Sequence, residues 1–121
     1  MKQVNIDTNR FTIIQVGDEP SEGGACHEYY VVDADHAENS PPTEHCHVFF
    51  QKGPVKEEGT NGCHNEDLLA IVLHRLKGFQ SGKLACQENA LAITKIEEAM
   101  HWLNHRTASR QQRGVEGTRE K

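Results

Sequence analysis

Residues 65–106 read NEDLLAIVLHRLKGFQSGKLACQENALAITKIEEAMHWLNHR. The first part of this stretch has the apolar spacing of an amphipathic helix that begins at Asn65 as its N-cap. Glu66 and Asp67 place negative charge in the first turn, where it complements the helix dipole. Ser81 and Gly82 end the helix. Its apolar stripe consists of Leu69, Val72, Leu73, Leu76 and Phe79.

A second amphipathic helix is predicted over residues 88–106. Its apolar stripe consists of Ala92, Ile93, Ile96, Met100 and Leu103. Two such helices joined by a short turn form an antiparallel αα-hairpin. The residues from 111 onward are polar and interrupted by glycines, so we expect a loose tail unless a ligand or partner orders it.

The residues before the hairpin have a different pattern. Three short runs rich in β-branched and aromatic residues, 11–16 (FTIIQV), 27–32 (HEYYVV) and 46–51 (CHVFFQ), predict strands. Their connections are too short for helical crossovers, which favours an antiparallel sheet. Residues 52–62 (KGPVKEEGTNG) are typical of a linker. The prediction is an α+β chain, with a small antiparallel sheet in residues 1–60 and a helical hairpin with a basic tail in residues 61–121.

Charge is distributed unevenly along the chain. Residues 1–100 contain 8 Lys/Arg and 16 Asp/Glu, whereas residues 101–121 contain 5 basic and 2 acidic residues. An acidic body argues against a general DNA binder, which carries a broad basic surface. A few arginines still suffice for the phosphates of a small ligand. A hydrophobic fraction of 36% and a mean hydropathy of -0.71 indicate a modest core, which would gain from burial against a second copy.

The four cysteines are Cys26, Cys46, Cys63 and Cys86. There is no apolar signal segment at the start and no apolar run of membrane-spanning length, so we expect free thiols in a reducing cytoplasm. Three of the cysteines directly precede a histidine, but adjacent residues on a strand point to opposite faces, so these pairs are poor zinc chelators. His45 and His47 are expected to share a face. We expect neither a metal nor a cofactor.

No sequence motif for catalysis is present. The chain has no G-x-S-x-G, no Walker loop and no G-x-G-x-x-G. Glu97 and Glu98 are neighbours on a predicted helix, where their carboxylates diverge by about 100° and cannot form a dyad. We therefore expect a binding protein rather than an enzyme.

The turn between the predicted helices carries residue types suited to a nucleotide. Phe79 offers a ring for stacking, Gln80 and Asn89 offer amides, and Arg106 and Arg110 follow at the end of the second helix. Each has a structural alternative: Phe79 as a core residue, Asn89 as a helix cap, and Arg106 as a cation favoured at a helix C-terminus.

A longer pattern runs through the same residues. It reads R-L-x-x-F-Q-S-G-K-x-x-C-x-E-N-A-L-A over 75–92 and I-E-E-A-x-x-W-L-x-x-R-T-x-x-R-x-x-R-G-V-E-G-T over 96–118. From about residue 61 to 118 the chain resembles a phage-encoded hairpin domain shared by the Thoeris anti-defence protein 1 and anti-CBASS protein 2 families. The β-rich segment ahead of the hairpin favours the Thoeris family.

The resemblance implies a sponge that acts in the cytoplasm of the bacterial host during phage infection. Such proteins bind cyclic ADP-ribose isomers made by TIR-domain defence enzymes, without cleaving them. The resemblance assigns adenine stacking to Phe79, a ligand hydrogen bond to Asn89 and the pyrophosphate to Arg106, with Thr107 and Arg110 beside it.

Some members also bind cyclic oligonucleotides at a separate site, for which Lys83, Arg113 and Thr118 are the candidates here. The family relationship further implies a homodimer or a homohexamer assembled from dimers.

Three alternatives remain open from the sequence. The first is a sponge for the cyclic di- or trinucleotides of CBASS systems, which needs the same stacking ring and phosphate donors. The second is a phage protein that binds a host protein through its hairpin. The third is an enzyme that degrades the signal, which would need a metal or a base–nucleophile pair.

Overall fold

The structure, a computed structural model, describes residues 1–121. The chain forms two compact units, Met1–Cys63 and His64–Lys121. The first contains a four-stranded antiparallel sheet, and the second contains two long helices that pack together as a hairpin. The predicted α+β fold, a small sheet followed by a helical hairpin, is confirmed. No helix has both the length and the apolar character needed to cross a membrane.

The sheet has the strand order β1-β2-β3-β4, so each strand pairs with its neighbour in sequence. Its strands are β1 (Lys2–Gln3), β2 (Thr12–Val16), β3 (Glu28–Asp33) and β4 (Glu44–Phe49). The sequence pattern misses β1 because two polar residues show no alternation. Val32 on β3 is the buried hydrophobic residue of the sheet, at 4% exposure.

One carboxylate organises the connection between β2 and β3. Asp18 accepts hydrogen bonds from the backbone N–H groups of His27, at 3.0 Å, and Glu28, at 3.1 Å. Burial raises the pKa of Asp18. The backbone hydrogen bonds and the nearby His27 and Lys52 together lower this pKa by more than burial raises it, so it lies below the ordinary value of 3.8. The connection is therefore held by an ionised side chain.

The expectation of a linker over residues 52–62 is wrong. This segment contains the short helix α1 (Val55–Glu58) and folds back on the sheet unit. Asn61 donates from Nδ2 to the carbonyl of Lys52 at 2.7 Å and accepts from the Lys52 N–H at 2.8 Å. Gly62 lies so close to the Phe50 backbone that a Cβ at this position would sit 2.5 Å from a carbonyl carbon. These side-chain hydrogen bonds to backbone groups fix the conformation of a segment whose glycines and proline favour irregular backbone.

The hairpin consists of α2 (Asn65–Gln80) and α3 (Gln87–Gln112). The N-cap of α2 is His64 rather than Asn65, and Asp67 accepts the His64 N–H at 2.9 Å. The helix ends before Ser81, as predicted. Lys77 on α2 and Glu97 on α3 form an ion pair at 3.4 Å.

The second helix is longer than predicted, because α3 continues from residue 106 to Gln112. Its last turns contain polar residues that tolerate helix, although the apolar stripe stops at Leu103. The expectation of a loose tail is also wrong. Residues beyond α3 fold back on its C-terminal end, where Arg110 donates to three of their carbonyls. The half-buried guanidinium of Arg110, whose role sequence spacing does not reveal, orders this tail.

Candidate functional site

The turn between α2 and α3 is closed by side chains rather than by backbone alone. Gln80 accepts the Cys86 N–H through Oε1 at 2.8 Å. Cys86 is the N-cap of α3, and its Sγ accepts the Asn89 N–H at 3.5 Å. Asn89 in turn donates from Nδ2 to the Leu84 carbonyl at 3.2 Å. The amides of Gln80 and Asn89 therefore both contribute to turn geometry, and Asn89 retains a second amide hydrogen for a ligand.

Phe79 lies in the last turn of α2 and is half-buried. The guanidinium of Arg75, one turn earlier, lies 4.9 Å from the ring centroid. This cation–π contact covers part of the ring and holds a positive charge beside it. Sequence reasoning did not single out Arg75, although its i, i+4 spacing from Phe79 is the signal that could have found it.

Arg106 and Thr107 lie near the other end of the hairpin. Arg106 is exposed and forms no hydrogen bond or ion pair within the chain. Thr107 is half-buried and donates its hydroxyl to the Leu103 carbonyl at 3.2 Å. Arg106 follows Asn89 by seventeen positions on one continuous helix, which is a separation of about 25 Å at 1.5 Å per residue. One chain therefore does not bring Phe79 and Asn89 together with Arg106.

Arg110 is engaged inside the chain. Its Nη2 donates to the carbonyls of Val115, Thr118 and Glu120, at 3.1, 2.9 and 2.9 Å. Its Nε is buried without a hydrogen-bond partner. We call residues 113–121, as held by this guanidinium, the tail clasp. A phosphate could take the Nη2 donor of Arg110 only by replacing carbonyls of the clasp.

The three candidates for a second nucleotide site do not lie together within one chain. Arg113 ends α3 and donates to the Lys121 carbonyl at 2.8 Å, and Thr118 donates its hydroxyl to the Val115 carbonyl. Both belong to the tail clasp. Lys83 lies in the exposed turn at the opposite end of α3. The 26 residues of α3 span about 39 Å, so these groups are nearly a helix length apart.

The hairpin has apolar surface that nothing within its own unit covers. Neither α2 nor α3 contains a buried residue. Several large apolar side chains on the two helices are exposed, including Ile71 at 64%, Leu91 at 54% and Trp102 at 66%. If these side chains form a continuous patch in an assembly, they provide an interaction surface.

The sheet unit carries a separate polar cluster that sequence reasoning missed. Glu28 Oε2 accepts from the Tyr30 hydroxyl at 3.1 Å and lies 2.9 Å from His47 Nε2. The Tyr30 and His47 rings stack with centroids 4.1 Å apart, as expected for a directly opposed cross-strand pair. Burial, together with the hydrogen bond to Glu28, raises the pKa of Tyr30.

The histidines on β4 engage different carboxylates, since His45 pairs with Asp33 and His47 with Glu28. They are not arranged to share one ion. All four cysteines are free thiols, and no group of three or more His, Cys, Asp or Glu side chains converges on a metal position.

Comparison with known proteins identifies the hairpin. A family model described as "Acb2/Tad1, hairpin domain" matches residues 42–108, more than half of the chain. A protein of Bacillus phage SBSphiJ7 named Thoeris anti-defense 1 is 64% identical over 74 residues. The match covers 61% of this chain and 52% of that relative, so the chain spans about half the length of the curated relative it matches. The chain belongs to the Acb2/Tad1 hairpin-domain family.

Proposed function

We propose that this protein is a phage anti-defence sponge that binds cyclic ADP-ribose isomers and holds them without cleavage, which blocks Thoeris signalling. The relative named Thoeris anti-defense 1 supports the biological role. The ligand assignment rests on the turn of the hairpin. The half-buried Phe79 ring lies just before this turn, the Asn89 amide lies just after it, and side-chain hydrogen bonds close the turn between them. An aromatic face and an amide are what an adenine needs.

The proposed contact between Arg106 and the pyrophosphate then requires a second copy of the chain. Arg106 is free of internal partners but lies about 25 Å along α3 from Asn89, farther than one cyclic ADP-ribose reaches. Two hairpins packed side by side in opposite directions place the turn of one next to Arg106 of the other. A two-fold axis that relates the two chains repeats this arrangement, so the dimer has two equivalent sites. The uncovered apolar side chains of α2 and α3 supply the surface for such packing.

The proposed ligand contacts support sequestration rather than turnover. The proposed site has an aromatic ring, amides and guanidinium groups, and none of these is a nucleophile or a general base at neutral pH. A sponge needs slow release, because a released signal molecule activates its effector again. Binding a ligand between two chains favours slow release, since escape requires the interface to open.

Ligand identity is tested by incubating the purified protein with cyclic ADP-ribose isomers and cyclic di- and trinucleotides, followed by removal of free ligand, heat denaturation and mass spectrometry. Recovery of an intact cyclic ADP-ribose isomer supports the proposal. Recovery of intact cyclic di- or trinucleotides alone indicates a CBASS-type sponge, and a linear product indicates an enzyme. Retention of none of these ligands contradicts the sponge and favours a protein partner.

The two-chain site is tested by mixing two inactive variants. Asn89→Ala and Arg106→Ala chains with different tags are co-expressed, and the mixed dimer is purified through both tags. If the site is shared, one of its two pockets has both native residues, so the mixed dimer retains ligand at half the wild-type stoichiometry. If each site lies within one chain, the mixed dimer retains none. A dimer carrying both substitutions in both chains is the matched control.

A further inference from the structure

Two histidines on α3 differ from four other histidines of the chain in having no carboxylate partner. His27, His45, His47 and His64 each lie within 4 Å of an Asp or Glu oxygen. His101 and His105 are exposed, form no hydrogen bond or ion pair, and contact only each other and Trp102 through their rings. Their ring nitrogens are available to an external ligand.

The helix places these two imidazoles on one face. His101 and His105 are four positions apart in the uninterrupted α3, and their ring centroids are 6.4 Å apart. The i, i+4 spacing brings Cβ atoms to about 5–6 Å, and the same spacing places both histidines of an H-E-x-x-H helix on one zinc ion. With metal–nitrogen bonds of about 2.0–2.1 Å, the two coordinating nitrogens must approach to about 3 Å. Exposed side chains can make that adjustment by rotation about χ1 and χ2.

We propose that His101 and His105 form a surface chelate for one divalent transition-metal ion of the zinc, nickel or copper class. Neutral imidazole suits these ions, whereas calcium and magnesium prefer oxygen ligands. Only two protein ligands are present, so water fills the remaining positions and the hairpin does not depend on the metal for its fold. The site is separate from the Cys-His pairs of the sheet unit, and His105 directly precedes Arg106 of the proposed nucleotide residues.

Trp102 provides a local reporter for this site. It is the only tryptophan of the chain and lies 5.2 Å from the His101 ring and 5.7 Å from the His105 ring. A paramagnetic ion held by the two imidazoles quenches its fluorescence, while an ion on a distant thiol does not. Cys86 on the same helix is sixteen positions away, about 24 Å.

The test is a titration of the full chain with nickel chloride while Trp102 emission is recorded. We expect saturable quenching, reversed by excess Zn²⁺, which competes for the site without an unpaired electron. His101→Ala and His105→Ala should each weaken the apparent affinity at least about tenfold, since each removes one of two ligands. His36→Ala, which removes an exposed histidine of the sheet unit, should titrate as wild type.

Folding of the variants is checked by far-UV circular dichroism, where alanine, a strong helix former, should preserve α3. Quenching that survives in the His101→Ala/His105→Ala double variant, or that Zn²⁺ does not reverse, would overturn the proposal.

Discussion

The guanidinium of Arg75 lies 4.9 Å from the centroid of the Phe79 ring, one turn away on α2. The guanidinium covers part of one face of the ring, and Phe79 is half-buried at the hairpin turn. A stacking ring with a fixed cation beside it attracts both parts of a nucleotide, the base and the phosphate. We therefore expect the stacking role proposed for Phe79 to depend on this neighbour.

Phe79→Ala should weaken ligand binding by about 5- to 150-fold, because base stacking on an aromatic contributes about 1–3 kcal/mol. The loss of stability without ligand should stay below the about 3–5 kcal/mol of a fully buried phenylalanine, since this ring is partly exposed. Thermal unfolding without ligand and calorimetric titration with a cyclic ADP-ribose isomer separate the two effects. Phe79→Tyr, which keeps the stacking face, is the control. Wild-type affinity in the alanine variant would remove Phe79 from the site.

Arg106→Ala should weaken binding by about 10- to 150-fold, since a hydrogen bond to a charged group contributes about 1.5–3 kcal/mol. Its side chain is exposed and forms no internal hydrogen bond or ion pair, so the unfolding temperature should be unchanged. Arg106→Lys keeps the charge but lacks the bidentate fork, and should fall between wild type and alanine. Titration at low and high salt checks the electrostatic origin, because the gap between wild type and Arg106→Ala should narrow with salt. Equal affinities in all three proteins would exclude the phosphate role.

Arg110→Ala should release the tail clasp, because three carbonyls lose their shared donor. Hydrogen exchange measured by mass spectrometry should accelerate over residues 115–120 and stay unchanged over α2. The same measurement on wild type tests a ligand role: a ligand phosphate that takes Arg110 from the carbonyls accelerates exchange in the clasp. Unchanged exchange on ligand binding would show that no ligand phosphate takes this Arg110 donor from the carbonyls. Arg113→Ala, which removes one contact to Lys121, is the milder control.

Acid should destabilise the sheet unit through Asp18. Its pKa is below 3.8 in the folded chain, so its contribution to stability is fully present above 3.8 and is lost as the pH falls through the lower, folded value. Asp33, whose pKa is lowered first by its hydrogen bond to His45, acts in the same direction. Asp18→Asn should flatten the dependence of the unfolding midpoint on pH between about 5 and 2. The test is urea unfolding across this pH range, monitored by the near-UV circular dichroism of the tyrosines. A parallel pH profile in the variant would show that Asp18 does not hold the connection.

Local pattern was enough to predict much of this protein. Apolar spacing in residues 65–106 predicts both helices of the hairpin, and three β-rich runs predict β2, β3 and β4. These elements are predictable because the periods of helix and strand appear directly as the spacing of apolar residues in the sequence. The residue pattern of the hairpin also indicated the family, which the comparison confirmed. The roles of Phe79, Asn89 and Arg106 remain predictions.

Only tertiary structure decided which side chains are available to a ligand. Arg106 and Arg110 are indistinguishable by residue type, yet one is free and the other holds the tail clasp. The ordered conformation of residues 52–62 likewise depends on hydrogen bonds between Lys52 and Asn61, nine positions apart. The physical reason is that helix and strand periods come from local backbone geometry, whereas the availability of a polar group depends on partners that meet only when the chain folds.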